Sequence, residues 1–225
     1  MINFYHSLST KYFDDAYCKA FLLKTGNTLK YFDISSNYDK IFEIDYFDKD
    51  KKKNIKDFLL KYKEVYVIPL ELPDDSIIGF QLRSKNIKDF CNVKLNEKYP
   101  QIFGLYDFKD FKYNTPIILC EGSKDALFIK LFYKYTLAYL TSQPTKLLFE
   151  FLLTITNRII FIPDNDDAGL QLDTFKKFKI FKKYHCNVLN YKDFGSYWEV
   201  DNDYLKNSFI RELETIINLE GLKNE

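Results

Sequence analysis

Three carboxylates follow directly on two short apolar runs. Glu121 comes after Ile117-Ile118-Leu119-Cys120, and Asp164 and Asp166 come after Ile159-Ile160-Phe161-Ile162-Pro163. Runs of this kind suit strands of a parallel sheet that are buried on both faces. Ligands of open α/β sheets sit beyond the carboxyl ends of the strands, which is where these acids fall. Asp164 and Asp166 are two residues apart in a turn, so both side chains can face one ion, and Glu121 arrives from the other strand end. Mg²⁺ is a hard, octahedral cation that takes carboxylate oxygens and keeps part of its water. Clustered carboxylates repel one another, and a bound cation relieves that repulsion. An isolated Asp-x-Asp needs no metal, because acids at a helix N-terminus complement its dipole. One strand ending in Glu-Gly and a second ending in Asp-x-Asp-x-Ala-Gly form a far more specific pattern. Gly122 allows a sharp turn or a close backbone approach, and Ala168-Gly169 lets the next helix pack closely on the sheet.

The elements around these acids alternate. After Asn114 the chain reads as strand 117–120, helix 124–134, strand 136–140, helix 146–154, strand 158–163, helix 167–184, strand 186–191 and a last helix 203–217. This βαβαβαβ order predicts an α/β fold with a mostly parallel sheet and helices on both faces. In the helix 167–184, Phe175, Phe178, Ile180 and Phe181 mark a core face and the lysines a wet one. A smaller α+β lobe precedes it. There, a helix is expected over 9–24, strands within 29–46, an exposed turn at Lys51-Lys52-Lys53 and a short helix over 54–62. A hairpin Val65–Leu70 and Ile77–Arg83 about Pro73-Asp74-Asp75 follows, then a loop-rich stretch over 84–100. The expected domains are 1–112, 113–200 and a C-terminal helix 201–225.

Composition narrows the class. The 225 residues are 46% hydrophobic and 18% aromatic, enough for a sizeable core, with a formal net charge of +1. The balance neither favours nor excludes nucleic acid as a partner. The surplus of Lys, Asn, Ile, Phe and Tyr is that of an AT-rich genome, so Lys and Phe counts carry little functional weight. Cys18, Cys91, Cys120 and Cys186 form no CxxC, and with only His6 and His185 beside them no zinc site is expected. The start lacks the pattern of a signal peptide, and no apolar stretch approaches the ~20 residues of a membrane span. A cytoplasmic protein with free thiols and no membrane contact is the expectation.

The motifs resemble those of a known family. Glu121-Gly122-Ser123-Lys124-Asp125-Ala126 resembles the E-G-x-x-D-A/V motif of DnaG-type and phage primases, and Asp164-Asn165-Asp166-Asp167-Ala168-Gly169 resembles their D-x-D-x-A-G motif. Together these are similar to the Toprim signature. Asp125 is typical of primases and less so of other Toprim proteins. Upstream, Ile78-Gly79-Phe80-Gln81-Leu82-Arg83 is similar to the primase strand that ends in a basic residue before the template cleft. Ile102-Phe103-Gly104-Leu105-Tyr106 resembles the aromatic segment just before the Toprim domain. Asp193 resembles a later primase acid, although Phe194 stands where that family has Pro.

The resemblance implies template-directed synthesis of short RNA primers on single-stranded DNA in the cleft between the lobe and the Toprim sheet. Mg²⁺ (or Mn²⁺) would be held by Glu121, Asp164 and Asp166, with Asp193 a further ligand, and would bind the phosphates of the incoming NTP. Arg83, Lys85, Lys88, Lys94 and Lys124 are the candidates for template or triphosphate contacts. Trp198 and Tyr197 have the chemistry to stack on a base, or simply to pack. The chain carries no zinc-binding or helicase part and no P-loop. A replicative helicase or a separate zinc-binding protein is therefore an expected partner, and a phage or other mobile element an expected source. Two alternatives stand beside this reading. One is a metal-dependent Toprim nuclease of the OLD kind using the same acids, and the other a non-catalytic nucleic-acid adaptor similar to RecR.

Overall fold

The computed structural model describes residues 10–12, 30–33, 47–48, 53–62, 64–84, 87–113, 115–141, 144–156, 158–164, 181–183 and 203–222. They fall into two compact units, Met1–Gln101 and Ile102–Glu225. The architecture is mixed α/β: an antiparallel sheet in the first unit and a parallel sheet with helices in the second.

The first unit is built on a five-stranded sheet in the order β1-β2-β5-β6-β7. Its strands are β1 (Thr10–Tyr12), β2 (Lys30–Asp33), β5 (Glu64–Glu71), β6 (Ile77–Ser84) and β7 (Phe90–Lys94), all antiparallel to their neighbours. A short pair, β3 (Phe47–Asp48) and β4 (Lys53–Asn54), leads into the helix Ile55–Lys61. That helix starts where it does because the Asn54 side chain accepts from the N–H groups of Lys56 and Asp57, donors a helix start otherwise leaves unpaired. Ile55, Phe58, Leu59 and Tyr62 pack on Val65, Val67, Phe80, Leu82, Cys91 and Val93. The period-3.6 stripe of the helix thus meets the period-2 face of three strands.

The hairpin between β5 and β6 turns at residues 72–76, with Asp75 at φ 65° and the Ser76 N–H bonded to Asp74 Oδ1 at 3.1 Å. Gly79 is required by packing. A Cβ there would collide with the Val93 carbonyl of β7.

Two expectations fail here. Thr10–Tyr12 lies in a strand, not in the helix expected over 9–24, because pairing with β2 overrides local periodicity. The stretch expected to be loop-rich contains β7, whose polar Asn92 is buried and accepts from the Gln81 amide at 3.0 Å. Lys51 and Lys52 of the expected turn lie outside the described residues, and Lys53 opens β4. Its ammonium pairs with Asp89, which also accepts from the Tyr62 hydroxyl at 2.6 Å and the Phe90 N–H at 2.9 Å.

Asp89 gives the first unit an acid sensitivity of known sign. Burial raises its pKa, but the hydrogen bonds from Lys53, Tyr62 and the Phe90 amide, with the Lys53 charge, outweigh burial and hold it below 3.8. A carboxyl with a depressed folded pKa adds stability that is complete above the unfolded value and is lost as pH falls through the folded one. Asp89→Asn is expected to flatten part of the stability loss below about pH 4. Urea unfolding of both proteins at a series of acidic pH values measures it, and parallel curves would contradict it.

The second unit centres on a four-stranded sheet in the order β11-β10-β8-β9, parallel throughout. Its strands are β8 (Ile117–Cys120), β9 (Thr136–Ala138), β10 (Ile159–Ile162) and β11 (Phe181–Lys183). Every residue of β8 and β10 is buried, as an inner parallel strand requires. The helix Ser123–Lys130 links β8 to β9, and the helix Lys146–Ile155, capped by Thr145, links β9 to β10. A last helix spans Asp203–Leu222. Phe181–Lys183 is strand rather than the end of the helix expected over 167–184. Residues 165–180 and the strand expected over 186–191 lie outside the described residues. No described helix is long and apolar enough to cross a membrane.

The segment before β8 is part of this unit. Phe103 exchanges backbone hydrogen bonds with Ala138 of β9 at 2.8 and 3.0 Å, and Leu105–Asp110 forms a 3₁₀ helix. Lys130, at the end of its helix, closes over this segment. Its buried ammonium donates to the Gly104 carbonyl at 3.0 Å, to Asp107 Oδ2 at 2.7 Å and to the Lys134 carbonyl at 2.8 Å. Burial pushes the Lys130 pKa down to about 8 against the opposing pull of Asp107.

Candidate functional site

The register of β8 on β10 decides where the acids emerge. Ile117 lies opposite Ile159, and Cys120 opposite Ile162. Glu121 is therefore the first residue beyond β8, and Asp164 the second beyond β10. Neighbouring strands are about 4.8 Å apart, so the two carboxylates leave adjacent strands at one carboxyl edge. Both are partly exposed. Asp166, the second aspartate of the motif, and Asp193 lie outside the described residues. Among the described residues no three His, Cys, Asp or Glu side chains gather closely enough to hold a metal ion by themselves.

A third strand end stands beside these two. Beyond β9 the ladder continues, the Tyr139 N–H donating to the Cys120 carbonyl at 3.2 Å and the Leu140 N–H to the Glu121 carbonyl at 3.0 Å. The Tyr139 side chain is 1% exposed, and its hydroxyl reaches Glu121 Oε2 at 3.5 Å. Burial, and then the charges of Glu121 and Asp164, push the Tyr139 phenol far above its ordinary value. It is a neutral donor at any working pH. Leu140 then turns the chain away with φ 56°, a left-handed conformation that a leucine rarely adopts.

Cys120 reports the same negative field from below the edge. Burial raises its thiol well above the ordinary range, Asp125, Asp164 and Glu121 raise it further, and Lys130 opposes them. Burial and these acids both favour the neutral thiol. Asp125 belongs to this field although it is buried in the first turn of the helix Ser123–Lys130. Its carboxylate folds back over Gly122, where an added Cβ would lie 2.5 Å from Asp125 Oδ2. Gly122 itself has ordinary extended dihedrals, φ −94° and ψ 143°. The glycine leaves room for the Asp125 carboxylate, and its dihedrals require no sharp turn.

The basic candidates are spread over both units. Arg83 is near the end of β6, partly buried, and Lys88 is exposed in the connection to β7. Lys94 ends β7 and is paired with Glu97 at 2.9 Å. Lys124 lies in the first helical turn after Glu121, its ammonium 5.9 Å from the centre of the Phe128 ring. Lys85, Tyr197 and Trp198 lie outside the described residues. Sequence reasoning missed Tyr139, because an aromatic within a strand signals packing. Only the register of β9 against β8 brings it to Glu121.

No family model and no curated protein sequence matches the chain. Solved structures do. The E. coli primase catalytic core superposes with a TM-score of 0.52 at 16% identity, over 66% of this chain and 52% of that one. A DnaG primase catalytic domain bound to single-stranded DNA gives 0.52 at 18% identity, with the same coverage. The primase fragment of the bacteriophage T7 primase-helicase protein gives 0.51 at 16% identity, over 68% of this chain and 69% of that one. The chain thus spans about half the length of the first two. At these identities the likeness is one of fold: a mixed α/β chain built similarly to primase catalytic cores.

Proposed function

We propose that this chain is a DNA primase core of the Toprim type, which makes short RNA primers on single-stranded DNA by metal-dependent nucleotidyl transfer. The observation that carries the reading is the emergence of Glu121 and Asp164 from adjacent parallel strands at one carboxyl edge. The likeness of fold to primase cores, one of them bound to single-stranded DNA, supports it.

The donor set fits a hard divalent cation such as Mg²⁺ or Mn²⁺. Two partly exposed carboxylates supply oxygen ligands, and Mg²⁺ is commonly held by one or two carboxylates together with water and substrate phosphates. Glu121 and Asp164 would hold it, with Asp166 beside Asp164 and Asp193 as a further ligand. When bound, the metal supplies charge neutralisation at the triphosphate and activation of the attacking hydroxyl. The chain's own residues do the rest. Glu121 and Asp164, at the ends of β8 and β10, would hold the ion at one fixed place beside the triphosphate. Lys124, in the turn after Glu121, is the nearest basic candidate in sequence for a triphosphate oxygen, while Arg83, Lys85, Lys88 and Lys94 are candidates for the DNA backbone. A replicative helicase or a zinc-binding protein is the partner class that fits such a core.

Incubation with single-stranded DNA, Mg²⁺ and labelled NTPs tests the proposal. Short template-dependent oligoribonucleotides are the expected product. Degradation of the template with no synthesis would replace this reading with a nuclease. Neither product on any template, with helicase present, would overturn catalysis altogether.

A further inference from the structure

Tyr139 is a phenol where the core needs only a ring. It is among the largest fully buried side chains, and its ring lies 6.1 Å from that of Phe161 on β10. A buried hydroxyl is costly unless it finds a partner. The partner here is a carboxylate oxygen of Glu121, 3.5 Å away. The same short segment also grips the Glu121 backbone, since the next amide, Leu140 N–H, donates to the Glu121 carbonyl at 3.0 Å. One strand end therefore holds Glu121 at both main chain and side chain.

We propose that Tyr139 is a positioning residue for the metal site, its hydroxyl donating to Glu121 Oε2 and so fixing the orientation of that carboxylate at the strand edge. The inference rests on the reading of Glu121 as a metal ligand. The separation of 3.5 Å is long for a hydroxyl donor, and such contacts commonly tighten once the working complex forms. Partners that orient a metal ligand in this way typically change metal affinity by about 10- to 100-fold when removed. The geometry here leads us to expect the lower end, because one hydrogen bond is lost and the ring remains.

Tyr139→Phe removes the hydroxyl alone. Titration of Mn²⁺ into the full chain, followed by the loss of the free-ion paramagnetic resonance signal, should give an affinity about 10-fold weaker for the variant. The Mg²⁺ concentration for half-maximal primer synthesis should rise by a similar factor. A second pair of proteins isolates the route: in a Glu121→Gln background, adding Tyr139→Phe should change Mn²⁺ affinity by much less. Equal affinity of wild type and Tyr139→Phe would overturn the proposal. So would an undiminished effect in the Glu121→Gln background, since Tyr139 would then act through something else. If wild type itself binds no Mn²⁺, the metal-site reading falls and this role with it. Binding by wild type that is untouched by Tyr139→Phe removes the role alone.

Discussion

Asp164→Asn is expected to lower primer synthesis by about 10³-fold or more without unfolding the protein. Replacing a ligand carboxylate by an amide removes a charged donor to the metal. Loss of several kcal/mol of transition-state stabilisation corresponds to that factor. Glu121→Gln should do the same. The double variant should be little worse than either single one, because groups that act as a unit do not add. Stability should move the other way. Two carboxylates leaving adjacent strands at one edge repel one another, so neutralising one relieves like-charge repulsion in the metal-free protein. A melting temperature equal to or above that of wild type, together with a collapsed synthesis rate, is the signature. Near-normal synthesis by either variant would contradict the assignment of these acids.

The second large effect is one of folding. Gly104→Ala is expected to destabilise the protein by about 3 kcal/mol, combining roughly 1–2 kcal/mol for a left-handed backbone with a comparable overpacking cost. Gly104 sits at φ 103°, and an added Cβ would meet the Thr136 carbonyl at 2.5 Å and Lys130 Cε at 2.9 Å. Neither neighbour yields easily. Thr136 belongs to β9, and Lys130 is tied by three hydrogen bonds. The damage therefore falls on the strand that delivers Tyr139 to Glu121. Urea unfolding measures it, and a change under about 0.5 kcal/mol, the ordinary size for an innocuous site, would contradict it.

What could be read in the sequence follows from which interactions are local. β8 and β10 were legible because an inner parallel strand is apolar along its whole length, and each of these runs stops at an acid. The hairpin about Pro73-Asp74-Asp75 was legible because its turn chemistry is written in the turn itself. β1 and β11 were not. Among the described residues both are edge strands, of three residues and containing lysine, and in a chain rich in Lys and Phe such residues also fit a helical spacing. β7 hid behind Asn92, a polar residue whose buried partner Gln81 is found only once the register of β6 on β7 is known. Gly122 suggests a turn or a close approach in the sequence, whereas the carboxylate of Asp125 folded over it is visible only in three dimensions. The left-handed turn at Leu140 carries no sequence signal, because leucine stands where glycine would announce it.

The most direct test is crystallographic. Crystals grown with Mn²⁺ and measured near its absorption edge should show an anomalous peak between the carboxylates of Glu121 and Asp164, within coordination distance of both. A well-ordered chain with both side chains in place and no peak between them, at Mn²⁺ concentrations that support synthesis, would contradict the account.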